Sequence, residues 1–307
     1  MPYNHPTRTP AYTQALLAFL ASEYPIDPAK ITPAKRGYYG ETWRVDSTEG
    51  QSCFVKLDYD AEHQQIYARS LAAAEHLYGQ GIDFIPRVIK TRAGALYAMF
   101  DGAVMGVFDW FEGANNETDE SKRLEYDLLG RIYTVPAKGI DLPHMDFSTE
   151  SADGFFIRWK QQKNPEILTV LEEHRPALEH YAERLAHFAE RCKGDESRYV
   201  ITHGDAGGNM LVDGESYALP DWDEACIAPP ERDAWVMCSR PWAVELFNQT
   251  LAAHGINYVL RPERLAYFCC HMYFFYLNAH LDGCTPGREI GEYLGWITDR
   301  MRLADEI

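Results

Sequence analysis

Thr202-His203-Gly204-Asp205-Ala206-Gly207-Gly208-Asn209 is followed twelve residues later by Asp221-Trp222-Asp223. Ahead of it, Tyr199-Val200-Ile201 is short, apolar and β-prone, so His-Gly-Asp is expected to leave a strand as a tight loop. Behind it, Met210-Leu211-Val212 and Tyr217-Ala218-Leu219 flank Asp213-Gly214, the pattern of two short strands joined by a turn. Two carboxylates and an amide thereby meet at one end of a small hairpin. That set suits phosphoryl transfer, in which one carboxylate orients an attacking hydroxyl and accepts its proton, while an Asn and an Asp hold Mg²⁺ against the phosphates. Asp205 and Asn209 could instead simply cap turns. The second acidic strand end at this spacing favours the catalytic reading.

Here the chain resembles the aminoglycoside phosphotransferase family, relatives of choline kinases and protein kinases. The match runs on through Asp221-Trp222-Asp223-Glu224 to Pro230-Glu231-Arg232-Asp233, a stretch that looks most like spectinomycin phosphotransferases. The resemblance implies that Asp205 is the catalytic base, that Asn209 and Asp221 bind the metal, and that His203 organises the loop. It also implies that Asp233 accepts backbone N–H groups of that loop, although its place at a helix start suits a capping role too. Two features depart from the family pattern. Three residues separate Asp205 from Asn209, a shorter loop than usual, and Pro220 stands where an aliphatic residue is the rule. Without an N–H, Pro220 requires an edge strand or a bend.

A catalytic loop of this type predicts an upstream nucleotide lobe. Lys35 to Val45 reads as strand, glycine-containing turn and strand, and Cys53-Phe54-Val55-Lys56-Leu57 is a β-rich run with one central lysine. Gly37 and Gly40 would let backbone amides approach phosphates, and Lys56 would bridge phosphate oxygens. Such a lysine needs an acidic partner on the next helix. The helical stretch from about Ala61 to Gly79 offers Glu62 and Glu75, and the sequence does not choose between them. The apolar run from Gly102 to Gly113 is similar to the family's strand-to-hinge segment, which implies that backbone groups of Asp109 to Phe111 meet the purine edge.

Composition agrees with an enzyme of two lobes. The chain has 307 residues, 46% of them apolar, which suffices for a sizeable core. No stretch approaches the ~20 consecutive apolar residues that span a bilayer, and Met1-Pro2-Tyr3-Asn4-His5-Pro6 lacks the layout of a secretion signal. Seven scattered cysteines without a CxxC pair point to reduced thiols in a cytoplasm.

Charge is the second functional clue. The net charge is −17; residues 1–113 carry 10 Lys+Arg against 13 Asp+Glu, leaving 19 against 33 for the remainder. The acid is thus concentrated in the half expected to take the phosphate acceptor. A field of that sign repels nucleic acid and attracts small cations, though acidic surfaces also serve solubility. Asp223 and Glu224, just past the metal strand, could bind a substrate ammonium or be plain loop acids.

Helices are expected at 10–22, 117–133, 166–192 with a break at Pro176, 234–255, 262–281 and 290–304. The dense aromatic series Tyr267, Phe268, Tyr273, Phe274, Phe275 and Tyr276 argues for a buried helix. Together these features predict an α+β, two-lobed, protein-kinase-like fold: a small β-rich nucleotide lobe over 1–112 and a larger helical lobe over 113–307. The expected activity is transfer of the γ-phosphate of ATP or GTP, with Mg²⁺, to a hydroxyl of a small cationic acceptor such as an aminocyclitol antibiotic. A metabolite kinase acting on choline, homoserine or a sugar, and a non-catalytic nucleotide binder, are the alternatives. No nucleic-acid or membrane partner is expected.

Overall fold

The computed structural model describes residues 8–35, 39–115, 118–194, 196, 198–282, 285–298 and 300–307. In chain order the first half contains α1 (Pro10–Glu23), β1 (Pro28–Pro33), β2 (Gly40–Ser47), β3 (Ser52–Asp58), α2 (Gln64–Gly79), β4 (Ala98–Phe100), β5 (Ala103–Asp109) and α3 (Asp119–Tyr133). There follow α4 (Glu150–Gln161), α5 (Pro165–Glu173), α6 (Arg175–Cys192), β6 (Val200–Thr202), α7 (Ala206–Asn209), β7 (Leu211–Asp213), β8 (Ser216–Ala218) and β9 (Cys226–Ala228). Helices α8 (Glu231–Ala234), α9 (Pro241–Ala253), α10 (Pro262–Asp282), α11 (Gly287–Thr298) and α12 (Arg302–Glu306) complete the chain.

Two compact units emerge: residues 1–143 with 203–226, and residues 144–202 with 227–307. These boundaries lie elsewhere than the expected division after residue 112. The segment carrying the catalytic turn groups with the sheet because local pairings tie it there: Ala114 bridges Val212, and the Leu219 N–H donates to Phe84 O at 2.9 Å.

In the first unit a five-stranded antiparallel sheet has the order β1-β2-β3-β5-β4. Alternation sets its two faces. On β3, Cys53, Val55 and Leu57 are buried in a core shared with Leu16 and Leu20 of α1 and with Tyr24 and Val107. The intervening residues Ser52, Phe54 and Lys56 therefore face the opposite side. Lys56 stands directly across from Thr42 on β2 and Gly106 on β5. A Cβ at Gly106 would lie 2.5 Å from Tyr67 Oη and 2.8 Å from Leu71 Cδ2, so the missing side chain lets α2 pack against the face that carries Lys56. Helix α1 is started by Thr9, whose hydroxyl accepts from the Tyr12 N–H, and by Pro10 at its first position.

The hairpin of β7 and β8 closes through Gly214-Glu215, with Asp213 opposite Ser216 and Gly214 at φ +58°. A positive φ at the first position of a two-residue loop matches strand twist and needs glycine. The second unit is organised by the 21-residue α10, which packs on α4, α6 and α12. Tyr267, Phe268, Tyr273 and Phe274 are buried there, as the aromatic pattern implies, while Phe275 is exposed. Pro176 marks the start of α6, where the predicted helix breaks. Six cysteines are buried and unbridged. Among the described residues no helix is long and apolar enough to cross a membrane.

Candidate active site

The turn from His203 to Asn209 is folded first on its own residues. Gly204 at φ +90° lets the chain reverse immediately after His203, and the Asp205 N–H then donates to His203 Nδ1 at 3.2 Å. Because Nδ1 accepts, Nε2 carries the proton and donates to Pro220 O at 3.0 Å. His203 is fully buried and lies against the Trp222 ring. It binds backbone on both sides, at Asp205 and at Pro220. Residues 206–209 form a single helical turn, which is how a loop one residue short still brings Asn209 back over Asp205. Asn209 Nδ2 donates to Asp205 O at 2.9 Å and to Asp205 Oδ2 at 3.0 Å. Asp205 itself is exposed.

Pro220 bends the chain out of β8, and the next residue, Asp221, adopts φ +66°, a left-handed conformation that Asp tolerates better than most residues. The bend carries Asp221 and Asp223 to Lys56. Lys56 Nζ donates to Asp221 Oδ1 at 2.6 Å and to Asp223 Oδ2 at 2.7 Å. It also lies 5.2 Å from the Tyr67 ring centre. Burial alone would lower the lysine pKa, but the two carboxylates outweigh it and the group stays charged with its pKa raised. Burial likewise works against ionisation of Asp221, yet Lys56 beside it holds its carboxyl below the ordinary range.

The residues present fit a hard divalent cation. Asn209 uses its amide nitrogen on Asp205, which leaves its carbonyl oxygen to face a cation, and Asp221 commits Oδ1 to Lys56 while remaining 44% exposed. Oxygen donors in so small a number suit a metal whose other ligands are water and phosphate. Among the described residues there is no cluster of three His, Cys, Asp or Glu that would hold a metal without such help.

Several expected roles are corrected. Neither Glu62 nor Glu75 holds Lys56. Glu62 precedes α2, its N–H taken by Asp60 Oδ1 at 2.9 Å, and Glu75 pairs with Lys90 at 2.5 Å. Asp109 does not present its N–H to a purine, because that group donates to Arg87 O at 3.0 Å and its carboxylate pairs with the Arg87 guanidinium. Phe111 lies beyond the end of β5. Gly40 is glycine for a packing reason, since a Cβ there would lie 1.7 Å from Leu57 O on β3. Gly37 lies outside the described residues. Asp223 is only 12% exposed and engaged with Lys56 and Ser70, so it is not a substrate-facing acid here, while Glu224 is half-buried beside it. Asp233 is the third residue of α8, at the helix start expected from the sequence.

Other contributors have no motif to announce them. Asn115 Nδ2 donates to Gly207 O and Met210 O, both at 2.9 Å, clamping the catalytic turn from the segment before α3. Lys122 and the buried Glu125 of α3 pair over the same turn, where a Cβ at Gly207 would lie 2.9 Å from Lys122 Nζ. Ser70 sits in the buried stripe Tyr67, Leu71, Ala74 and Leu77 of α2, and a hydroxyl inside such a stripe is the one signal that could have marked it.

This arrangement of sheet lysine, catalytic turn and paired acids is that of a small-molecule phosphotransferase. Residues 30–268 match the model of the phosphotransferase enzyme family, and the chain belongs to that family. No curated protein sequence matches it significantly. Among solved structures it is similar to a spectinomycin phosphotransferase in complex with ADP and spectinomycin, with 20% identity, a TM-score of 0.73 and coverage of 95% of this chain and 97% of that one. An aminoglycoside phosphotransferase from Alicyclobacillus acidocaldarius shares 12% identity at a TM-score of 0.66, over 99% and 96% of the two chains. A microcompartment-associated aminopropanol kinase shares 14% identity at a TM-score of 0.67, over 95% and 96%. At such identities the likeness speaks for the fold.

Proposed function

We propose that the protein transfers the γ-phosphate of ATP or GTP to a hydroxyl of a small cationic acceptor, with an aminoglycoside or aminocyclitol antibiotic such as spectinomycin as the leading class. The observation that carries this reading is the Lys56–Asp221 contact at 2.6 Å, which joins the nucleotide strand to the end of the segment bearing Asp205. In this reading Asp205 orients the acceptor hydroxyl in line with the γ-phosphorus and takes its proton as the new P–O bond forms and the bond from the γ-phosphorus to the leaving ADP or GDP breaks. Lys56 binds phosphate oxygens through donors released from Asp221. Backbone groups at Phe111 meet the base, and Asn209 and Asp221 hold Mg²⁺. When bound, Mg²⁺ supplies neutralising charge to the phosphates. Because phosphoryl transfer passes through a loose transition state, positioning by Asp205 matters more than its basicity.

The likeness to structures holding ADP and spectinomycin, and AMP-PNP with Ca²⁺, supports nucleotide binding in this family fold. The acidic remainder of the chain supports a cationic acceptor. Likeness to an aminopropanol kinase favours a second reading, a kinase of amino-alcohol metabolites. A panel of aminocyclitols, aminoglycosides, amino alcohols and neutral sugars, assayed for phosphorylated product with Mg·ATP and Mg·GTP, separates the two. Product from spectinomycin or an aminoglycoside supports the proposal; product from amino alcohols alone moves the acceptor to metabolism; product from none, with no nucleotide consumed, contradicts both.

A further inference from the structure

Lys56 has two carboxylate partners, and they are held very differently. Asp221 is strained at φ +66° and 44% exposed, with Lys56 on one oxygen. Asp223 is 12% exposed and engaged on both oxygens: Oδ2 accepts from Lys56 Nζ at 2.7 Å, and Oδ1 accepts from Ser70 Oγ of α2 at 3.0 Å. Ser70 is itself anchored, its hydroxyl also reaching Tyr67 O at 2.8 Å. Behind Asp223 stands His63, whose Nε2 is buried without a hydrogen-bond partner 4.0 Å from Oδ2, and whose Nδ1 bonds the buried Asp58. The crevice bordered by Ile66, Ser70, Trp222 and Asp223 has a volume of only about 10 Å³, enough for one water and far too small for an acceptor.

We infer that Asp223, braced by Ser70, is the positioning carboxylate that keeps Lys56 aimed at the phosphates, a task that no glutamate of α2 performs in this chain. The inference rests on the proposed kinase reading for its catalytic consequence. The asymmetry of the pair gives the sequence of events. With nucleotide and a cation bound, the exposed Asp221 would be the carboxylate free to turn from Lys56 to the cation, while the enclosed Asp223 would keep its hold on the lysine. An ammonium has three donors, so Lys56 can retain Asp223 and still offer two to phosphate oxygens. Helix α2 thus acts on the lysine through a hydroxyl and a carboxylate from the far side of the chain, 153 residues away from Ser70.

The test compares Asp223→Asn, Ser70→Ala, Glu62→Gln and Glu75→Gln in the full chain, each checked for an intact melting transition. Two quantities are read: kcat/KM for nucleotide, and the rate at which an amine-acylating reagent modifies Lys56 in the nucleotide-free protein, followed by peptide mass spectrometry. Asp223→Asn is expected to lower kcat/KM for nucleotide on the order of 10²-fold, the scale of a misplaced reacting group, and to speed Lys56 acylation several-fold, because the ammonium loses the enclosed carboxylate that holds it. Ser70→Ala should shift both in the same direction by a few-fold. The two glutamate variants should match wild type. Unchanged acylation and nucleotide kinetics in Asp223→Asn, or a collapse in either glutamate variant, overturns the inference. Acylation needs no nucleotide, so the lysine contact is still tested if the kinase reading itself fails.

Discussion

The catalytic turn and the lysine cluster sit in the same unit but are built in opposite ways. In the turn, the hydrogen bonds that fold it on itself span two to four residues, from Asp205 to His203 and from Asn209 to Asp205, and Asn115 adds a clamp from 92 and 95 residues away. Around Lys56 they span 165 and 167 residues, and the brace from Ser70 spans 153. A turn closed on itself can hold its geometry whether or not nucleotide is bound. A cluster drawn from three distant segments reports on the fold that assembles them, and its charges must rearrange when phosphate arrives. The first arrangement suits chemistry that needs a fixed carboxylate; the second suits binding that needs a lysine able to change partners.

The largest effect expected from this contrast is on turnover. Asp205→Asn keeps the shape of the turn but removes the proton-accepting carboxylate, and kcat should fall on the order of 10²–10⁴-fold. Steady-state phosphorylation of the true acceptor measures it, and near-normal turnover would place the chemistry elsewhere.

Gly40→Ala attacks the long-range region instead. Its Cβ would sit 1.7 Å from Leu57 O, a backbone atom next to Lys56 that cannot swing aside. The strands must separate, at a cost of about 3 kcal/mol or more. Urea unfolding should show the loss, together with weakened nucleotide binding; an unaltered midpoint would mean the β2–β3 contact is looser than described.

Gly207→Ala is the matching change in the turn, and it should be nearly silent. The new Cβ would meet the ends of two long side chains, Lys122 Nζ at 2.9 Å and Glu125 Oε2 at 3.2 Å, rather than backbone, and the helical turn gains by losing a glycine, so stability should stay within about 1 kcal/mol. A large loss would show that the Lys122–Glu125 pair above the turn is rigid.

The same contrast explains what could be read from the residues alone. The tight turn through His203, Asp205 and Asn209 was legible because its shape depends on neighbours a few positions away, and Asp213-Gly214 announced its hairpin for the same reason. Lys56 was legible as the single charge in an apolar β-run. Its partners were not. Glu62 belongs to an expected helix, but Asp60 Oδ1 takes the N–H groups of Glu62 and His63, forming a turn that delays α2 until Gln64. Asp223 read as a substrate-facing acid or a plain loop acid because nothing local hints at Ser70 or Lys56. Strand β1 was hidden by its own bracketing prolines, Pro28 and Pro33, which suit an edge strand but not a central one.

One measurement tests the division of labour most directly: the melting shift produced by millimolar Mg·ATP or Mg·GTP in wild type, Asp205→Asn and Asp221→Ala. A ligand that binds only the folded state raises its stability. The account predicts that Asp205→Asn keeps the wild-type shift while losing turnover, and that Asp221→Ala loses the shift. A shift abolished in Asp205→Asn and preserved in Asp221→Ala would contradict it.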